Sequence, residues 1–248
     1  MSRKIFLAGA SGVIGRRLAP LLVNAGYEVF GTTRSDAKAA ELEEAGVKPI
    51  VVDVFDGPAL SLVMATVQPD IVIHQLTDLS VGLDPKLIAE AIGRNARIRS
   101  EGTKNLVAAA AVAGSGRLIA QSIAWAYAPG PQPYLESAPL DLSAEGTRAI
   151  SVQGVATLER LTVASPPLAG VVLRYGQLYG PATGSDEPKG PAPVHVDAAA
   201  HAALLAIERG TPGLFNIADD SGFVSIEKAR RELGWDPGYR IAGRKLPR

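Results

Sequence analysis

The chain has 248 residues, 47% of them hydrophobic, with 25 basic residues balancing 25 acidic ones and no cysteine. Neutral charge argues against a nucleic-acid or membrane-surface partner found by bulk electrostatics. The missing thiols exclude disulfides and thiolate chemistry and fit a reducing cytoplasm, and the length suits one α/β domain with a full core.

Arg3 and Lys4 precede a short apolar run, but glycines break it too early for a secretory signal. KIFLAG (4–9) reads as a first buried strand, and residues 13–25 as a helix with Ile14, Leu18, Leu21, Leu22 and Ala25 on one stripe. Pro20 lies inside that helix and is expected to bend it. Further strands are YEVFGTT (27–33), KPIVVD (48–53), DIVIHQ (70–75), RLIAQS (117–122) and GVVLRY (170–175). They are nearly continuous in apolar character, as strands buried on both faces are. Two longer helices are expected over 86–113 and 145–163, flanking RLIAQS.

Beyond residue 176 the pattern changes. PATGSDEPKGPAP reads as a loop or lid, followed by a helix (VDAAAHAALLAIERG), a strand (GLFNIAD) and a last helix (SIEKARRELG). No segment approaches the roughly 20 apolar residues that cross a bilayer. The alternation predicts right-handed βαβ units in a Rossmann-type, doubly wound parallel sheet. Residues 1–175 form the dinucleotide-binding part; residues 176–248 form a small, reduced substrate-side region packed on it, not an independent domain.

GASGVIGRR (9–17) places three glycines three apart at a strand-to-helix turn. Gly9 permits the tight turn, Gly12 lets backbone approach a diphosphate, and Gly15 lets helix pack closely on sheet. The helix N-terminus then offers free N–H groups to the phosphates. At the end of the second strand, where NAD-binding folds carry an acidic residue for the ribose, this chain has Thr33 and Arg34. A guanidinium grips a 2′-phosphate that a carboxylate would repel, so NADP is favoured, with NAD as the alternative. Arg16 or Arg17 can add charge. Asp53 sits where adenine would lie, or else caps a helix. No metal site is read.

These residues carry a family likeness. GASGVIG, VVDV, IVIHQLT, LRYGQLYGP and the tail PVHVDAAAHAALLA…GLFNIAD…EKARRELGWDP together resemble the extended short-chain dehydrogenase/reductases, the NAD(P)-dependent epimerase/dehydratase group. The resemblance implies an oxidoreductase acting on a small-molecule, carbonyl-type substrate, and a homodimer paired through the two long helices. It places Gly9, Ser11, Gly12, Val13, Ile14, Gly15, Thr33, Arg34, Asp53, Val54, Gln75, Leu76 and Thr77 at the cofactor. Tyr175 and Gln177 fall near nicotinamide and substrate, although Tyr175 also reads as a packed core aromatic.

The family's Tyr-x-x-x-Lys pair is not found, because no tyrosine in the chain is followed four residues later by lysine. Aligning the helix by ATLER, with Glu159 as the family's glutamate, puts Ser151 at the tyrosine position and Val155 at the lysine position. The hydroxyl that normally accompanies them falls on Ile123. Ser122, one residue earlier, serves only if the strand end is irregular. Tyr127, Tyr134, His74 and Asp78 are the local groups with exchangeable protons; Tyr127, with Ser122 beside it, or water is the expected proton source. Trp125 and Tyr134 are expected at the substrate, and His74 and Asp78 read as structural or turn residues. An alternative is a non-catalytic NADP(H)-binding regulator, or a non-redox isomerase or lyase on the same fold.

Overall fold

The computed structural model describes residues 2–78 and 87–242. Its strands are β1 (Lys4–Ala8), β2 (Glu28–Thr33), β3 (Lys48–Val51), β4 (Ile71–His74), β5 (Arg117–Ile123), β6 (Ala169–Tyr175), β7 (Gln177–Tyr179), β8 (Pro193–His195) and β9 (Gly213–Ile217). Seven of them form one parallel sheet in the order β3-β2-β1-β4-β5-β6-β9, while β7 and β8 make a separate ribbon. The order reverses between β1 and β4. At such a switch point the loops after the two strands diverge and leave a crevice.

Strand residues alternate between two helical layers. Ile5, Leu7, Ile71, Ile73, Ile119 and Leu173 share a core with α1 (Val13–Asn24) and α7 (Val196–Glu208). Phe6, Ala8, Val72 and Leu118 point the other way, onto Leu60 and Met64 of α3 (Gly57–Val67) and Leu106 of α5 (Thr103–Val112). Both faces are dry, which is why these strands lack polar alternation. The helix α2 (Asp36–Glu44) follows β2, and α6 (Gly146–Val163) lies between β5 and β6 in sequence.

Three expected elements differ from the observed ones. The long helix over 86–113 is two helices, α4 (Ile88–Arg97) and α5, joined by a π-helical turn at Ile98–Gly102; position 86 lies outside the described residues. An i→i+5 turn inserts one residue without disturbing the apolar stripe enough to show in periodicity. The third strand stops at Val51, because the Asp53 carboxylate accepts from the Phe55 amide at 2.9 Å and turns the chain. The last helix runs over residues 227–233 and is π-helical at Ala229–Leu233, closed by Gly234 at φ 66°.

The C-terminal segment enters the same core. β9 is the seventh strand, paired in parallel with β6. Arg17 of α1 and Asp197 of α7 form a buried ion pair at 2.5 Å, which fastens α7 to the first helix. Among the described residues, no helix is long and apolar enough to cross a membrane.

Candidate functional site

The glycine turn is closed by a Gly12 amide donating to the Gly9 carbonyl at 3.0 Å. Gly9 has φ +89°, and an added Cβ would stand 2.7 Å from the Gln75 backbone. At Gly15 a Cβ would lie 2.2 Å from the Gly9 carbonyl, so the first turn of α1 presses against the loop. Gly12 meets only the Gly9 oxygen, at 3.2 Å, and its outer side is bare. It is also the N-cap of α1, with no capping side chain and no acidic residue in the first turn. The helix's leading amides are thus left for an external anion.

A crevice of about 310 Å³ opens beside this loop. Gly9, Ser11 and Gly12 form its floor at the helix end; Thr33 and Arg34 line it beyond β2; Asp53 and Val54 line it beyond β3; and Gln75, Leu76 and Thr77 line it beyond β4. Val13 and Ile14 pack instead against the core, Gly15 is buried behind the loop, and Tyr175 is buried under Gln75. Sequence reading missed Lys38, one helical turn beyond Arg34, and Phe55, whose ring carries the Arg97 guanidinium at 4.0 Å. Lys38 was legible as a second cation at i+4. Phe55 was not, because its place depends on the Asp53 turn.

Arg34 is exposed and, among the described residues, forms no ion pair. Arg16 and Arg17 correct the expectation that they add charge to the same place. Arg16 donates to the Ser11 carbonyl at 3.0 Å and to Glu41 at 2.8 Å, and Arg17 is buried against Asp197. Asp53 is not a helix cap, since Asp56 holds the N-terminus of α3. Gln75 Oε1 is buried without a partner among the described residues, while its amide nitrogen reaches the Tyr175 hydroxyl at 3.4 Å. An orphaned acceptor, an uncapped helix and a bare glycine on one wall fit a dinucleotide with a diphosphate bridge.

The two catalytic candidates turn away from that crevice. Ser122 shares the parity of Leu118 and faces the helical layer; its hydroxyl donates to Glu159 Oε1 at 2.8 Å. Glu159 takes a bidentate Arg174 at 2.8 and 2.7 Å, and Arg174 also donates to the Tyr127 hydroxyl at 2.7 Å. Tyr127 donates in turn to Asn216 Oδ1 at 2.6 Å. Burial pushes the Tyr127 phenol up, partly offset by Arg174 and Asn216. These two side chains are therefore joints of an internal polar network, with their protons committed.

The substrate candidates Trp125, Tyr134 and Gln177 do not line the crevice. Tyr134 is buried and stacks on Tyr127 with ring centroids 4.9 Å apart. Trp125 packs with Ile123 and Val152, and Gln177 accepts from the Ala192 amide at 3.2 Å, bracing the base of the 180–192 loop. Asp78 is held by Asn95 and by Arg94. Val155 is fully buried and Ser151 is half-buried, accepting from Arg99 Nη1 at 3.2 Å.

His74 lies 3.1 Å from the Thr103 hydroxyl through Nε2, and its Nδ1 accepts the Leu76 amide. Burial, aided by the nearby Arg99 charge, lowers its pKa from 6.5 to about 4. The folded state thus resists a proton that the unfolded chain accepts below about pH 6.5, and stability falls as pH drops from there towards 4. The expected loss is about 2 kcal/mol between pH 7 and pH 5. Urea titrations at the two values should show that loss in wild type and not in His74→Asn; an equal loss in both would assign it elsewhere.

A family model described as the NAD dependent epimerase/dehydratase family matches residues 5–212. A Streptomyces protein named 3-diazoavenalumate denitrifying reductase is 39% identical over 99% of this chain and 83% of its own length. A UDP-glucose 4-epimerase from Thermotoga maritima, solved with UDP-glucose, superposes with a TM-score of 0.76 at 19% identity, covering 96% of this chain and 94% of its own. The Bordetella bronchiseptica enzyme WbmG, solved with NAD, gives 0.73 at 20% identity, covering 97% and 91%. At such identities the two structures bear on the fold alone.

Proposed function

Because the chain belongs to the NAD dependent epimerase/dehydratase family, we propose that it is an NADPH-dependent reductase of a small, electron-poor aromatic substrate, one that carries a diazo group. What supports this reading is 39% identity over 99% of the chain to a protein named 3-diazoavenalumate denitrifying reductase, together with the alignment by ATLER that puts Ser151 and Val155 where the family's proton-transfer residues are expected. Carbonyl reduction, the expectation from the resemblance, needs a proton at the new hydroxyl, which water would have to supply because Tyr127 and Ser122 have theirs committed to the buried network. When bound, the reduced nicotinamide supplies a hydride, and a diazonium carbon that takes it releases dinitrogen, so atoms and charge balance with no proton from the protein. The chain's own task is then binding, orientation and exclusion of water.

In this reading Gly9, Ser11 and the amides at the start of α1 hold the diphosphate. Gln75 supplies its orphaned oxygen, and Leu76 and Thr77 form the wall. Arg34 and Lys38, which line the same crevice, hold the 2′-phosphate and set the preference for NADPH. Arg34→Ala is expected to weaken NADPH at least tenfold, the size of one lost charged contact of about 1.5 kcal/mol or more, while NADH changes less than twofold. Calorimetry with both cofactors decides it, and equal weakening refutes the NADPH assignment. We also propose pairing of two copies across α4 and α6, supported by exposed Ile88, Ile150 and Val163.

The reaction is tested with benzenediazonium salt and 4-deuterated NADPH, following cofactor absorbance and the arene product. Deuterium on the ring carbon, formed above the protein-free background in step with cofactor oxidation, is the expected result. Tight NADPH binding with no oxidation would replace the reductase with a non-catalytic dinucleotide-binding regulator.

A further inference from the structure

The buried arginines of this chain are not alike. Arg17 has Asp197, Arg174 has Glu159, and half-buried Arg117 donates to the carbonyls of Ala206, Arg209 and Gly210. Arg99 differs: it is 5% exposed and, among the described residues, its one hydrogen-bond partner is the Ser151 hydroxyl. The carboxylate whose charge it feels, Glu159, is already engaged by both arms of Arg174 and by Ser122. Burial pushes the Arg99 guanidinium down to about 10, with Glu159 pulling the other way, so it stays charged at neutral pH.

An enclosed cation without an anion costs several kcal/mol. Arg99 also lies in the π-helical turn between α4 and α5, and single π turns inside helices recur at functional sites. The pair reaches the outside through Ser151, which is half-buried on α6. His74, at the carboxyl end of β4, is close enough for its proton affinity to be lowered by Arg99. This is the end of the sheet at which parallel α/β folds bind their ligands.

We propose that Arg99 and Ser151 form an oxyanion subsite, taking a carboxylate or phenolate oxygen of an aromatic substrate. A guanidinium presents paired N–H donors in a plane that suits such groups, and most of the donors of Arg99 remain uncommitted among the described residues. The inference deepens the reductase reading and rests on it for the word substrate. The subsite itself stands on a buried cation without an anionic partner among the described residues, its hydroxyl partner and their place in the sheet.

The test uses the full chain loaded with NADP⁺ and titrated calorimetrically with cinnamate, neutral cinnamamide and 4-nitrophenolate. At least one anion is expected to bind tenfold or more tightly than cinnamamide. Cinnamate preferred identifies a carboxylate site, and 4-nitrophenolate preferred identifies a phenolate site. Arg99→Gln is expected to erase that preference while leaving cinnamamide within twofold. No anion preference in wild type, or its survival in Arg99→Gln, overturns the proposal. Should Arg99→Gln fail to fold, Arg99→Lys and Ser151→Ala decide: at least threefold weaker anion binding with cinnamamide unmoved supports the subsite, and no change overturns it. Anion preference without NADPH oxidation sinks the reductase reading alone, whereas oxidation without anion preference sinks the subsite alone.

Discussion

Gly15→Ala is expected to abolish measurable dinucleotide binding and to lower stability by about 3 kcal/mol. The substitution looks mild, since Gly15 lies inside α1 and alanine favours a helix interior over glycine by about 1 kcal/mol. Packing decides the sign. The new methyl would stand 2.2 Å from the Gly9 carbonyl oxygen and 2.5 Å from that of Ala10, both of them backbone. The loop cannot retreat, because Gly9 is itself wedged against the Gln75 main chain, 2.7 Å from where its own Cβ would be. Either α1 rises off the loop or the turn changes shape, and both misplace the amides meant for the diphosphate. Gly93→Ala is the control: it lies in α4 with nothing within 4 Å of an added Cβ, and should stabilise by about 0.5–1 kcal/mol. Urea denaturation and NADPH calorimetry on both variants read the outcome. Binding by Gly15→Ala within tenfold of wild type would move the cofactor away from this loop.

Arg174→Met should destabilise by about 3–5 kcal/mol, the range for removing one partner of a buried ion pair. Arg174 and Glu159 are 3% and 6% exposed, so solvent does little to screen them. Without the guanidinium, Glu159 keeps, among the described residues, the Ser122 hydroxyl alone, and Tyr127 loses the donor that fixes its ring beside Asn216. The double variant Arg174→Met/Glu159→Leu, which removes both charges, should recover part of the loss. A denaturation cycle over the two singles and the double measures the coupling. A single-variant loss below 1 kcal/mol would mean that the network is wet or loosely held, and would return Tyr127 to the list of exchangeable proton donors.

The sheet was legible because its signal is local. Ile5, Leu7, Ile71 and Ile73 belong to strands covered on both sides, and runs of that kind survive in sequence as unbroken apolar stretches. The glycine turn was legible for the same reason, its three glycines falling within one strand–turn–helix unit. The orientation of Tyr127 was not. It is fixed by Arg174 and Asn216, 47 and 89 residues away in the chain, and no spacing rule connects them. Ser122 needed only strand parity, but parity says which face a residue takes and not that Glu159 waits there. Arg99 escaped notice because an arginine in a helical stretch reads as surface until the π turn swings it inward.

The last strand of the sheet has a consequence during synthesis. β6 pairs on one side with β5 and on the other with β9, whose residues 213–217 leave the ribosome well after β6 is complete. Until then the nascent chain carries a bare hydrogen-bonding margin along Val171–Tyr175, the kind of template to which other unfinished chains attach. A stall or cleavage before residue 213 would leave that margin open, so partial products of this chain should be far more prone to aggregation than their composition suggests.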